Sequence, residues 1–270
     1  MSRFLLVVVF VLAAMSARAG VPLVLDGNAV EGGLLFGHTA PNARVILDKK
    51  PIRVSEDGYF LLGFGRDSAG LKKLEVILGS QVLNRDIDVK DRNFKIERIN
   101  GLPGKKVTPD PKALTRIKSE KSLMAKAKQK SDVMPGYLDG FGWPAIGRLS
   151  GVYGSQRILN GKPRRPHYGT DVAAPTGTPV RAIAGGRVAF VHPDMFFNGK
   201  TVLIDHGLGL RSVYIHMSAA KVAVGDRVAV GDIIGAIGAT GRATGPHLHF
   251  GITLDSTPID PEIVLGPMTQ

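Results

Sequence analysis

Hydrophobic and polar positions follow three different patterns along the chain. Phe4–Met15 is an almost wholly apolar run behind Met1-Ser2-Arg3, and Ala17-Arg18-Ala19 follows with small residues where a signal peptidase reads. The run is shorter than the roughly 20 residues of a membrane span, and Arg18 interrupts its extension. It reads as a secretory leader cleaved after Ala19, with the mature chain periplasmic or secreted. An uncleaved anchor is the other reading of the same stretch.

From residue 21 onward, short apolar runs recur roughly every ten residues: Leu34–Phe36, Arg44–Leu47, Tyr59–Phe64 and Leu74–Leu78. Gly, Asn and Asp turn signals separate them. The spacing predicts an immunoglobulin-like β-sandwich over 20–102. Pro103, Pro109 and Pro111 then break the pattern. Lys112–Gln129 is rich in helix formers, with Leu114, Ile117, Leu123 and Met124 at loosely helical spacing, so a basic helical linker is predicted over 103–135. The last part, 136–270, is glycine-punctuated and strand-rich again. Strands are predicted at Val180–Ile183, Gly186–His192, Thr201–Asp205, Arg211–His216, Arg227–Val230 and His247–Thr253. The chain as a whole is therefore mainly β, ending in a compact antiparallel β domain.

Charge and composition narrow the possible chemistry. The net charge is +12 and the chain has no cysteine, so disulfides and thiol catalysis are excluded. Nine Lys and Arg residues against Asp110 and Glu120 crowd into 105–130, which makes the positive charge a local feature. An anionic wall polymer or membrane surface is the partner this segment suits. Nucleic acid is not expected, because stacking aromatics are lacking and a leader is present. No phosphate-binding GxxxxGK and no GxGxxG at a strand–helix junction occur.

Six of the seven histidines lie after residue 136. His167 and Asp171 stand four apart with Gly169 between them, a pairing that suits a divalent metal but is weak alone. In Pro246-His-Leu-His-Phe250, strand alternation puts His247 and His249 on one face and Leu248 and Phe250 on the other. The same alternation groups Tyr214 with His216, against Val213 and Ile215. Two imidazoles and one carboxylate would complete a three-ligand zinc set with a fourth position for water. HExxH is absent, so a hydrolase built here would use histidine as its base. His206 is expected to be structural, and His38 and His192 exposed.

The segments His167-Tyr-Gly-Thr-Asp171, Ala174–Val180, Val202–Gly207, Tyr214-Ile-His216 and Gly238–Phe250, in this order, resemble the lysostaphin/LytM-type zinc metallo-endopeptidases over about 145–265. The resemblance implies a peptidase domain with a substrate groove between β-sheets, acting on peptide cross-links of bacterial peptidoglycan. It implies Zn2+ held by His167, Asp171 and His249. His216 and His247 would flank the metal-bound water, either of them being the base. Asn160 and Arg165 fall where the family lines its groove. The alternative is a catalytically silent wall-binding regulator that activates a separate amidase, a class that loses ligands this chain retains. A monomer is expected.

Overall fold

The computed structural model describes residues 20–101, 108–129, 131–132 and 135–268. The expected cleavage after Ala19 and the lysines at 105, 106 and 130 lie outside the described residues. Among those described, no helix is long and apolar enough to cross a membrane.

The first seven strands form two antiparallel sheets. Leu23–Gly27, Leu34–Thr39 and Tyr59–Gly63 make one, and Lys50–Ile52, Arg44–Leu47, Gly70–Leu78 and Gln81–Val89 the other. The fourth strand pairs with the third, whereas the constant-type immunoglobulin order puts it on the sheet of strands one, two and five. Leu35, Phe60 and Leu62 from one sheet meet Val45, Leu74 and Val76 from the other in a closed core. Each such burial is worth about 1.5–3 kcal/mol against exposure.

Period-two alternation gives the first sheet a second apolar face. Leu34 and Leu61 point away from the sandwich core and are buried in the core of the C-terminal domain, with Phe36 and Tyr59 packed beside them. Arg92 pairs with buried Asp260 at 2.8 Å across the same junction. The outer face of the first sheet is therefore part of the C-terminal core, while the sandwich core remains separate. Ile96–Ile99 pairs in parallel with Gln156–Leu159 of the C-terminal domain.

The linker holds a helix over Pro111–Ala127, N-capped by Asp110, whose side chain accepts from the Ala113 N–H at 2.8 Å. It docks on the C-terminal domain through only part of the apolar set that the spacing suggested. Leu114 and Leu123 are exposed, while Ile117 and Glu120 are buried. Glu120 accepts from the Phe196 backbone N–H at 2.9 Å and from Arg116 at 2.7 Å. Its buried charge is thereby satisfied from both sides.

The C-terminal domain is built on an antiparallel sheet. Its order is Arg227–Val228, Gly186–Met195, Gly199–Gly207, Leu210–Met217, Leu248–Leu254, Thr170–Ala173 and Arg148–Gly151. Thr257–Ile259 adds to Leu248–Leu254. Leu248, Phe250, Ile252 and Tyr214 fill the interior behind the sheet. The opposite face of the same strands carries the histidines.

Candidate metal centre

Strand pairing brings the ligand candidates together. Asp171 stands opposite His249 across one ladder, and Ile215 stands opposite His249 across the next. Paired residues share a face, so the Asp171 carboxylate and the His249 imidazole project to the same side. His167 Nε2, Asp171 Oδ1 and His249 Nδ1 then converge. His249 Nδ1 lies 2.8 Å from His167 Nε2 and 2.7 Å from Asp171 Oδ1, and His167 Nε2 lies 3.1 Å from Asp171 Oδ1. All potential ligand atoms of this group fall within 4.8 Å of one another.

The donor chemistry fits a metal ion. His167 Nδ1 is 3.1 Å from the Val152 carbonyl, which can only accept, so the ring proton sits there and Nε2 offers a lone pair. In neutral imidazoles the three converging atoms thus share at most one proton. A cation is what such an acceptor cluster lacks. Two nitrogens and one carboxylate oxygen, tetrahedrally arranged about zinc at bonds of 2.0–2.1 Å, stand about 3.3 Å apart, close to the separations found.

Two glycines make the cluster possible. A Cβ on Gly169 would lie 2.8 Å from His249 Nε2 and 2.4 Å from the Phe250 carbonyl oxygen. A Cβ on Gly151 would lie 2.3 Å from Asp171 Oδ2. Asp171 is also held from outside the group. Arg157 Nη2 donates to Asp171 Oδ2 at 2.5 Å, and Arg157 Nε donates to Glu97 Oε2 at 3.2 Å. Both oxygens of the carboxylate are therefore assigned, one inward and one outward.

His216 reaches the site by a break in the strand. Regular alternation would place it on the buried face with Tyr214, as the sequence suggested. Instead its φ is +64° where the pairing register slips, and its ring lies 4.8 Å from that of His247 and 6.3 Å from that of His249, centroid to centroid. A left-handed conformation costs a non-glycine residue about 1–2 kcal/mol, offset here by the Asn198 carbonyl accepting the His216 N–H at 2.8 Å. Strained backbone of this kind concentrates at working sites. His216 Nδ1 donates to the Thr240 carbonyl at 2.8 Å and His247 Nδ1 to the Gly245 carbonyl at 2.9 Å. Each neutral ring thereby keeps Nε2 unprotonated, the state a base requires.

Burial sets the electrostatics. It pushes the His216 pKa down to about 3, with repulsion from His247 and His249 acting the same way. Burial likewise takes His249 down to about 4, against the pull of Asp171. Burial opposes the charge on Asp171, but the polar contacts with the His167 and His249 rings outweigh it and hold this carboxyl well below its usual range. A carboxylate and neutral imidazoles at neutral pH are the forms a metal binds.

The group lies in a groove with two halves that share Arg157, Leu159, His216 and Arg242. One half, about 340 Å³, runs past Asp171, His247, Glu97 and Ile99. The other, about 530 Å³, runs past His167, His249 and Arg165. Asn160 is placed elsewhere: it turns the hairpin after Gln156–Leu159, and its N–H bonds the Ile99 carbonyl at 2.9 Å. His206 is fully buried, bonded to the Gly185 carbonyl and to Ser212 Oγ, each at 2.7 Å. Arg157 and Glu97 were not legible from sequence. A lone arginine in Gln-Arg-Ile-Leu carries no local signal, and its partner comes from the segment after the sandwich.

Residues 165–261 match the model of peptidase family M23. A solved Pseudomonas aeruginosa structure described as an M23 peptidase is 32% identical, with 88% of this chain and 96% of that one covered and a TM-score of 0.66. The DD-carboxypeptidase/endopeptidase Mpg of Neisseria meningitidis is 44% identical over 106 residues, which is 39% of this chain and 24% of that protein. The peptidoglycan DD-endopeptidase ShyC of Vibrio cholerae is 39% identical over 106 residues, with the same shares covered. The chain thus spans about a quarter of the length of the curated relatives it matches.

Proposed function

The chain belongs to peptidase family M23, and on that premise we propose that it is a zinc-dependent endopeptidase hydrolysing peptide cross-links of bacterial peptidoglycan. The observation that carries this reading is the convergence of His167 Nε2, Asp171 Oδ1 and His249 Nδ1 on one point, with His216 and His247 beside it. Relatives named as peptidoglycan DD-endopeptidases support the substrate class.

His167, Asp171 and His249 would hold the ion. Zinc bound there supplies Lewis acidity toward a carbonyl and toward water. His216 and His247, their Nδ1 protons committed to backbone carbonyls, face the reaction with Nε2. One takes the proton of the attacking water and returns one to the leaving amine. The other donates to the oxyanion once it is protonated. Arg157 fixes the carboxylate so that a single oxygen points inward. Arg165 would contact the substrate from the groove wall.

The silent-regulator reading fits less well, since every ligand and both flanking histidines are in place. A wall substrate puts the work outside the cytoplasm, in agreement with a leader cleaved after Ala19. Exposed lysines of the Pro111–Ala127 helix would add attraction to anionic wall polymer, and the protein would act as a monomer. The test is digestion of purified sacculi with the products weighed. Wild type should convert cross-linked dimers to monomers, and chelator-treated protein should not. Identical products from both would overturn the reading.

A further inference from the structure

His216 owes its position to a turn that lies outside its own strand. The turn at 196–198 joins Gly186–Met195 to Gly199–Gly207. Each of its residues is tied by its backbone to a different part of the chain. The Asn198 carbonyl accepts the His216 N–H at 2.8 Å, at the φ of +64° that turns the imidazole toward His247. The Phe197 carbonyl accepts the Arg242 N–H at 2.8 Å, in the loop whose Thr240 carbonyl takes the His216 ring proton. The Phe196 N–H goes to Glu120 Oε2 at 2.9 Å, on the linker helix. A backbone held in a sparsely populated conformation persists only where its surroundings over-determine it. Here the turn supplies those surroundings.

The helix grips this hairpin through several contacts at once. Glu120 is buried, and its Oε1 also accepts from Arg116 Nε at 2.7 Å. Arg116 reaches on to Asp194, bonding its backbone carbonyl and pairing with its carboxylate at 3.0 Å. The same guanidinium lies 5.9 Å from the centre of the Phe196 ring. A helix that only spaced two domains would not need a buried carboxylate, whose desolvation has to be offset by the bonds it makes. Glu120 is aimed instead at the N–H two residues before the carbonyl that holds His216. Removing it takes the charged acceptor from that N–H and lets the turn shift, and His216 with it.

We propose that Glu120 is a positioning residue for the hydrolysis: from the docked linker helix, through the turn at 196–198, it holds the His216 ring beside the metal group. The inference rests on the peptidase reading and extends the working apparatus beyond the C-terminal domain. Glu120 acts through the backbone and not on substrate, so zinc binding by His167, Asp171 and His249 does not depend on it. The rate does, because a displacement of about 1 Å in a reacting group costs up to about 100-fold.

The test compares zinc-loaded full-length wild type, Glu120→Ala and Glu120→Gln on purified dimeric muropeptide. Glu120→Ala should lose about 10–100-fold in kcat, with KM within about twofold and one zinc per chain retained. Glu120→Gln keeps an oxygen for the Phe196 N–H and should recover most of that rate. Val76→Ala, a change in the separate sandwich core, controls for lost stability and should keep the wild-type kcat. In a His216→Ala background, Glu120→Ala should cause no further loss, the non-additivity of two residues that act as one unit. Hydrogen exchange supplies a readout independent of turnover. The His216 and Arg242 amides should exchange about tenfold faster or more in Glu120→Ala than in wild type. Equal losses from Glu120→Ala in the wild-type and His216→Ala backgrounds would overturn the inference, as would unchanged protection of the His216 amide; either would leave the peptidase reading standing. Faster exchange at His216 with no cleavage by wild type would support the tether and count against the peptidase reading.

Discussion

Arg157 and Asp171 form the outer half of the metal group. Arg157 Nη2 donates to Asp171 Oδ2 at 2.5 Å, while Asp171 Oδ1 faces His249 Nδ1 at 2.7 Å. The pairing divides the carboxylate into an inward ligand and an outward anchor. Arg157→Ala should therefore weaken zinc binding 10–100-fold with the fold retained, the range found when an outer partner of a ligand is removed. Competition with a fluorescent chelator measures this. Unchanged affinity would show that Arg157 only lines the groove.

Gly169 leaves room for the His249 imidazole. A methyl group at 169 would stand 2.8 Å from Nε2 of that ring, and overpacking of this kind costs about 1–3 kcal/mol. Gly169→Ala should lower the melting temperature, and zinc affinity should fall with it. Normal zinc affinity in this variant would mean that the His249 ring tolerates displacement.

His216 lies beside the ligand group but outside it. His216→Ala should reduce kcat by about 10²–10⁴, the contribution of a positioned acid or base, while one zinc per chain is still bound. Stopped-time assays on dimeric muropeptide together with metal analysis separate the two effects. Loss of the zinc would make His216 a ligand in practice.

His206 predicts an acid limit to stability. Burial takes its pKa down to about 4, against about 6.5 in the unfolded chain. Between those values the unfolded state binds the extra proton, so this contribution is fully present above about pH 6.5 and is lost as pH falls toward 4. The loss amounts to about 3 kcal/mol. Urea melts at pH 7.5 and 4.5 should show a smaller difference for His206→Asn than for wild type, both in the same metal state. Equal differences would exclude His206 as the source.

Much of the site was legible because strand alternation is local. His247 and His249 were recognised from two-residue spacing, and Asp171 from its distance to His167. Alternation alone grouped His216 with Tyr214; its φ of +64° breaks that alternation and turns the ring toward His247, beside which the family resemblance put it. Arg157 and Glu97 could not be found, since their role depends on a parallel pairing between Ile96–Ile99 and Gln156–Leu159. Sixty residues of chain separate those partners, and neither strand has a distinctive pattern. In the linker, the apolar spacing located the helix and its buried Ile117, but not Glu120, a buried charged residue satisfied by Arg116 and the Phe196 N–H.

The central claim is that one zinc ion, held by His167, Asp171 and His249, enables hydrolysis of the cross-link. Metal-free protein titrated with zinc while the cleavage of purified dimeric muropeptide is followed tests it most directly. The rate should rise from near zero and level off at one equivalent per chain, and the His249→Ala protein should stay flat throughout. Full cleavage by the metal-free protein, or an undiminished response from His249→Ala, would contradict it.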